Sequence, residues 1–360
     1  MLVLRTLLFL LGLALVALTL GSAIKTFVLP RGARDVIVRL WFRLLLWLFY
    51  LRMKWTSTYV ERDRIMALYA PVALVLLLPI WLTFVTIGFM AMYQAISVDS
   101  SLEDFVLSGS SLLTLGFARG HTAVHDLLAF AEATIGLILV ALLIAYLPTM
   151  YGAFARREMA VSQLAVRAGT PPSASEFIRR AHRIGALGNL RDFWIQWENW
   201  FSDVEESHSS LAALVFFRSP EPAHSWITAA GTVLDSAALI AAVVDLPREP
   251  QAELCIRAGY LALWRVADYF SLPFIRQPLY PAEPISVTRA EFDALCCELK
   301  EKGVPLYADL DQAWLDFAGW RVNYDKALLG LCTLTMAPIA PWSSDRAPAY
   351  RPLPIFKHLI

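Results

Sequence analysis

The sequence has few charged residues and lacks the short motifs that carry most enzyme and cofactor chemistry. Charged residues make up 17% of the 360 residues and hydrophobic residues 58%, with a mean hydropathy of +0.54. Ordinary soluble domains are less apolar and more charged. The sequence has no GxGxxG, phosphate loop, nucleophile beside a base or cluster of metal ligands. We therefore expect a membrane protein that is not an enzyme and needs no cofactor.

Cysteine is scarce and no excess of either charge exists. The four cysteines are Cys255, Cys296, Cys297 and Cys332, and none forms a CxxC pair. This pattern predicts reduced thiols in a cytoplasmic domain. Lysine plus arginine and aspartate plus glutamate both number 31. The balance predicts no nucleic-acid partner, whereas the basic excess in the first hundred residues predicts membrane topology.

The first apolar run covers residues 2–29 and is broken only by Arg5 and Lys25. About 20 apolar residues suffice to cross a bilayer, so residues 1–30 are predicted to form a transmembrane helix. A cleaved signal peptide is the alternative, because Gly21 and Ala23 are small residues of the kind found at cleavage sites. The run is longer than an ordinary signal sequence, which favours an uncleaved helix.

Residues 31–65 alternate basic residues with tryptophan, leucine and phenylalanine. Arg39 and Arg43 are four residues apart and share one helical face, which predicts a basic amphipathic helix lying on the membrane. A further span over residues 40–51 is the alternative, but twelve residues are too few to cross the bilayer.

The basic cluster fixes the predicted topology, because positive residues stay on the cytoplasmic side. Residues 66–96 then run outward and residues 126–151 return inward. The basic pair Arg156 and Arg157 follows the second segment, as expected at a cytoplasmic end. We expect a multi-pass protein of the plasma (inner) membrane with its N-terminus outside and its C-terminal domain in the cytoplasm. Residues 66–158 form the predicted pore domain.

Residues 102–120 lie between the two longest apolar runs and are too short and too polar to cross the membrane. They predict a re-entrant loop with a short helix that starts near Ser100, with Glu103 and Asp104 in its first turn. The helix end near Leu113 would direct partial negative charge toward a cation. Gly116 permits a positive φ that turns a carbonyl toward a pore axis.

The C-terminal half predicts a helical domain over residues 176–336, preceded by a linker at 159–175 and followed by a proline-rich extended tail at 337–360. The expected helices cover residues 176–184, 190–207, 209–218, 224–244, 253–270, 288–302 and 310–336. The helix at 224–244 is apolar enough to be a span, but Asp235 at its centre favours a buried helix of a soluble bundle.

The segment from Ser110 to Ala118, SSLLTLGFA, resembles the pore loop of potassium channels, whose filter is TVGYG or TLGFG. More closely, the chain resembles prokaryotic potassium-channel-like proteins described as the two-pore-domain type. Those carry a TLGFGD loop, an inner helix ending in YLPT.Y..F.RRE and a YFRS....SW stretch. The matching residues here are Tyr146–Thr149, Tyr151, Phe154, Arg156–Glu158, Phe217–Ser219 and Ser225–Trp226.

The resemblance implies an all-α membrane protein with three transmembrane helices, a re-entrant pore helix and filter, and a helical cytoplasmic domain. One pore loop per chain implies a homotetramer in the lipid bilayer. The permeant monovalent cation is expected to be K⁺. The implied ion-binding residues are Thr114, Leu115, Gly116, Phe117 and Ala118. The implied hinge and inner gate are Gly136, Pro148 and Tyr151.

Two residues depart from the family pattern, because Ala118 and Arg119 replace its Gly-Asp. Four Arg119 side chains at an outer mouth would repel cations unless each is paired. Glu132 is the candidate partner, and the alternative is that Glu132 snorkels or hydrogen-bonds to the pore helix as a structural strut. His121 and His125 are four apart and are expected on one helical face, either tuning the mouth or facing solvent without a function.

The sequence thus predicts a passive cation channel with a cytoplasmic gating or assembly domain. Ala118 and Arg119 keep a second hypothesis open, a poorly conducting, pore-like membrane anchor or sensor that acts through its C-terminal domain.

Overall fold

The structure, a computed structural model, describes residues 2–29, 35–96 and 100–348. Within these residues the fold is all-helical, as predicted, with one isolated bridge between Val244 and Leu306. Four segments of the described part of the chain are long and apolar enough to cross a membrane, which indicates a membrane protein. These segments are Leu2–Phe27, Tyr59–Ile96, Ala123–Ala168 and Trp226–Val243.

The chain divides into two compact units. Of the described residues, unit 1 takes 2–55 and 68–152, and unit 2 takes 56–67 and 153–348. The helices of unit 1 are α1 (Leu2–Phe27), α2 (Val36–Met53), α4 (Tyr69–Ile96), α5 (Ser101–Leu112) and the first part of α6 (Ala123–Ala168). Those of unit 2 are α3 (Tyr59–Ala67), the end of α6, α7 (Ala174–Arg183), α8 (Arg191–Ser210), α9 (Trp226–Val243), α10 (Pro250–Tyr269), α11 (Arg289–Glu301), α12 (Leu310–Arg321) and α13 (Asp325–Thr335).

Unit 1 is built on the packing of α1 along α4. Gly12 and Gly88 let the two backbones approach closely, since a Cβ at Gly12 would lie 2.4 Å from the Gly88 carbonyl oxygen. Small residues at such contacts are usual between membrane helices. The Trp81 indole also donates to Ser22 Oγ on α1 at 3.1 Å. This pair of helices is the frame on which α2 and α5 pack.

The basic region expected as one amphipathic helix contains two helices, α2 and α3. Asp35 caps α2 by accepting from the Val38 amide at 3.0 Å. Thr58 precedes α3, and its hydroxyl accepts from the Glu61 amide at 3.3 Å. Because threonine at this position favours the start of a new helix, the helical structure is interrupted between α2 and α3. Residues 31–34 of the predicted helix lie outside the described residues.

Unit 2 has an apolar core around α9. Within its most apolar 18-residue window, 94% of α9 is buried. Phe201 and Trp197 on α8 belong to this core, so the tryptophan-rich face of α8 serves packing. Arg218 ties α3 to the same unit through Asp63, with Nη1 2.5 Å from Oδ1. The three cysteines Cys255, Cys296 and Cys332 are buried, and Cys297 is exposed.

Three predictions for unit 2, two helices and the extended tail, are corrected. Residues 209–218 contain the end of α8 and a 3₁₀ turn, Ala212–Phe216. Residues 310–336 form two helices, because the chain turns after Arg321 and brings Tyr324 to Asp235. Residues 337–348 are not extended but folded onto the unit, with Ala340 and Ser343 buried. Residues 349–360 of the predicted tail lie outside the described residues.

Candidate functional site

The short helix α5 begins as the sequence predicts. Ser100 accepts from the Glu103 amide at 3.3 Å, and the Glu103 carboxylate accepts from the Ser100 amide at 3.2 Å, which completes a capping box. The helix has 12 residues. At 1.5 Å per residue it is about 18 Å long, well short of the roughly 30 Å hydrocarbon core of a bilayer. The helix is therefore too short to cross a membrane.

The loop that follows α5, residues 113–118, is organised around Ser110. The backbone carbonyl of Ser110 accepts from the amides of Leu115 at 2.8 Å and Gly116 at 3.2 Å. Its hydroxyl accepts from the Ala118 amide at 3.0 Å. These bonds bring the loop back over the end of α5. We call residues 113–118 the return loop.

The return loop has an unusual backbone. Thr114 has φ +55° and Gly116 φ +70°. The left-handed region is open to glycine but costs free energy at a threonine. Two such turns within three residues change the direction of successive carbonyl groups.

Four carbonyl groups of the return loop lack a hydrogen-bond partner among the described residues. Within the part of the chain that the structure describes, no hydrogen bond is accepted by the carbonyl oxygens of Thr114, Leu115, Gly116 or Phe117. The side chains of Leu115 and Phe117 are 61% and 68% exposed. A row of unpaired carbonyl oxygens can replace the hydration shell of a monovalent cation.

Glu132 on α6 is buried and joins three helices. One carboxylate oxygen accepts from the Ser108 hydroxyl on α5 at 2.5 Å, and the other accepts from the Tyr93 hydroxyl on α4 at 3.0 Å. The structure thus gives Glu132 partners other than the expected Arg119, which is exposed. Glu132 was expected either to pair with Arg119 or to serve as a structural strut against the pore helix. The observed hydrogen bond to Ser108 on α5 is that of the strut.

Gly136 lies one helical turn after Glu132 and contacts the end of α5. A Cβ at this position would lie 2.2 Å from the carbonyl oxygen of Leu112, the last residue of α5. Any side chain here would displace backbone atoms. The glycine that resembles a hinge thus has a packing role, while α6 is a single helix through this point.

The two histidines do not share a face, so that prediction is wrong. α6 begins at Ala123, and His121 precedes it in an exposed position. His125 is buried, stacks on Tyr93 with ring centroids 5.8 Å apart, and lies 2.6 Å from Thr122 Oγ1 through Nδ1. The helix starts too late to bring the two imidazoles together.

The residues predicted for the inner gate lie within α6. Pro148 is inside the helix and Tyr151 is 52% exposed. A proline at this position removes one backbone hydrogen bond of the helix. Their role in gating stays a prediction.

Unit 2 contains a buried charged cluster centred on Arg321. Asp235 on α9 accepts from Arg321 Nη1 at 2.5 Å and from the Tyr324 hydroxyl at 2.8 Å. Arg321 Nε also donates to Asp325 at 2.7 Å, and Nη2 donates to the Trp342 carbonyl at 2.6 Å. Arg321 and Asp235 therefore hold α9, α12 and the final segment together.

Sequence reasoning missed the residues that support the return loop. Ser108, Ser110 and Tyr93 look like ordinary helical residues in the sequence. The available signal was Glu132 itself, because a carboxylate in an apolar helix requires partners and hydroxyl groups one helix away can supply them.

Comparisons of this chain with protein-family models, with curated proteins and with solved structures found no match.

Proposed function

We propose that the protein is a passive cation channel in which the return loop coordinates permeant ions. The observation that carries this proposal is the return loop itself, a segment with two left-handed residues and four carbonyl oxygens that accept no hydrogen bond among the described residues. Such backbone is tolerated at membrane depth only where it lines a polar cavity.

The position of α5 supports a re-entrant arrangement. It lies in sequence between two candidate spans and packs on α4. We infer that α1, α4 and α6 cross the membrane, that α5 enters it and that the return loop leads back to the same side. The N-terminus would then lie outside, and unit 2 would be the cytoplasmic domain.

A pore requires several copies of this chain, because one return loop cannot surround an ion. Four copies around one axis would place four rings of carbonyl oxygens along that axis. The exposed apolar residues of the return loop and of α6 supply surface for contact between copies or with lipid. The resemblance of the TLGF segment to potassium-channel filters makes K⁺ the expected ion.

The test is ion flux into liposomes that contain the purified full-length protein. We expect uptake of K⁺ and Rb⁺ that exceeds uptake by empty liposomes. Gly116→Ala is the matched negative control, since alanine resists φ +70° and should abolish uptake without changing the oligomer measured by light scattering. Absence of K⁺, Rb⁺ and Na⁺ flux in every ionic condition would contradict the channel and favour the anchor or sensor.

A further inference from the structure

Glu132 is the one carboxylate of α6 that lies buried beside α5, and its partners are neutral. Both of its oxygens are occupied by hydroxyl groups, from Ser108 and Tyr93. The structure shows no basic group bound to Glu132 within the described residues. A buried carboxylate without a cation is costly to keep, so its hydrogen bonds are the compensation that holds it in place.

The contacts between α6 and α5 repeat at one-turn spacing. Glu132 and Gly136 are four residues apart on α6, and their contacts, Ser108 and Leu112, are four apart on α5. Residues four apart lie on the same helical face. One contact fixes α5 by hydrogen bonding and the other by close backbone approach, so together they set both the rotation and the distance of α5.

The same stretch of α5 carries the return loop. Ser110 lies between Ser108 and Leu112, and it binds three amides of the return loop. A movement of the last turns of α5 would move Ser110. The return loop is bonded to Ser110, so its carbonyl groups would move as well.

We propose that Glu132 is a positioning residue for the ion-coordinating loop, acting through Ser108 on α5 and braced by Tyr93 on α4. The inference rests on the proposed function for its effect on ions. Gly136 contributes to the same positioning of α5, because the glycine lets the Leu112 carbonyl lie against α6. Ion preference then depends on four residues that contact no permeant ion.

The test compares Glu132→Ala and Ser108→Ala with the control Thr134→Ala, which removes an exposed hydroxyl of α6 that donates only to its own helix at Phe130. In the full-length protein in liposomes, we expect the two test variants to lower the ratio of K⁺ to Na⁺ flux about tenfold, the size expected for losing a hydrogen bond to a buried charged group. Thr134→Ala should keep the ratio of the original protein.

Glu132→Gln separates positioning from charge, since its amide can still bond to both hydroxyl groups. We expect the flux ratio of Glu132→Gln to lie within about threefold of that of the unmodified protein. Gly136→Ala should also lower the ratio, whereas Gly21→Ala, where an added methyl group meets no atom within 4 Å, should not.

Hydrogen exchange of the amides in residues 113–118 gives a readout that does not require conduction. We expect exchange to accelerate about tenfold in Glu132→Ala and Ser108→Ala but not in Thr134→Ala. If the original protein conducts no ions, the proposed function fails, yet accelerated exchange would still support positioning. Unchanged exchange and an unchanged flux ratio in both Glu132→Ala and Ser108→Ala would overturn the proposal.

Discussion

α6 and α9 are both apolar enough to cross a membrane, but they differ in what surrounds them. In the most apolar window of α6 only 22% is buried, against 94% in α9. Leu137 and Ile144 of α6 are exposed at 60% and 66%, whereas Leu234 and Leu239 of α9 are fully buried. Hydropathy alone therefore does not identify a span, because protein can cover an apolar helix as completely as lipid does.

The buried carboxylates of the two units also differ in their surroundings, because one has a charged partner and the other has neutral partners. Asp235 in unit 2 is paired with Arg321, and Glu132 in unit 1 is bound by neutral hydroxyl groups. An ion pair satisfies a buried charge within a protein core, whereas hydroxyl groups satisfy it without adding a second charge to an apolar region. Each of the following predictions tests one side of this comparison.

Removal of Arg321 should have the largest effect on stability. Arg321→Ala leaves Asp235 and Asp325 buried without their cation, which costs about 3–5 kcal/mol for a broken buried pair. Thermal unfolding of the full-length protein in detergent should show this loss. The control is Arg276→Ala, which removes an exposed arginine 3.4 Å from Asp268 and should change little. Equal stability of the two variants would contradict the cluster's role.

Cavity formation distinguishes the two helices directly. Leu234→Ala in α9 removes a fully buried side chain and should lower the free energy of unfolding by about 2–4 kcal/mol. The matched change Leu137→Ala in α6 removes a side chain that is 60% exposed and should cost much less. A larger loss for Leu137→Ala in the same unfolding measurement would reverse the comparison.

Acidic pH should weaken unit 2 through His208. Burial, with Arg157 beside it, lowers the pKa of His208 well below its usual range. Arg157 Nη1 lies 3.2 Å from His208 Nε2. As pH falls below about 6.5 the unfolded chain binds a proton that the folded chain does not. The free energy of unfolding should then fall by up to about 1.4 kcal/mol per pH unit.

Unfolding of the full-length protein between pH 7.5 and 5 measures this dependence, and His208→Gln should reduce its slope. The same slope in both proteins would assign the pH dependence to other groups.

The charge of Arg119 should have the smallest effect, and it concerns unit 1 alone. If the exposed Arg119 repels cations at the mouth, Arg119→Asp should raise K⁺ flux by about two- to fivefold at low salt, which corresponds to under 1 kcal/mol. Arg276→Asp makes the same charge change on unit 2 and should leave the flux as it was. Unchanged flux in Arg119→Asp would mean that this residue is paired or faces away from the ion path.

The sequence predicted the features that depend on neighbouring residues. The capping box of α5 could be predicted because Ser100 and Glu103 are only three residues apart. The all-helical class follows from helical spacing and from the absence of alternating strand patterns. Asp235 indicated a buried helix because it requires a partner, although the sequence did not identify Arg321, which lies 86 residues away.

The missed features depend on contacts between distant residues. The folding of residues 337–348 depends on Trp342 accepting from Arg321 and on Arg346 pairing with Glu291, at 2.8 Å. The burial of His125 depends on Tyr93, which is on another helix. Local spacing contains no information about either pairing, so proline content and the four-residue spacing of the histidines gave the wrong result.

The distribution of cysteine has a practical consequence for spectroscopy. All four cysteines are in unit 2, three of them are buried, and Cys297 is exposed. A maleimide probe should therefore label the native protein at Cys297, and Cys297→Ser should leave a background that reacts slowly until the protein unfolds. Single cysteines placed in the return loop could then carry a spin label or fluorophore without interference, which allows loop movements to be measured in intact membranes.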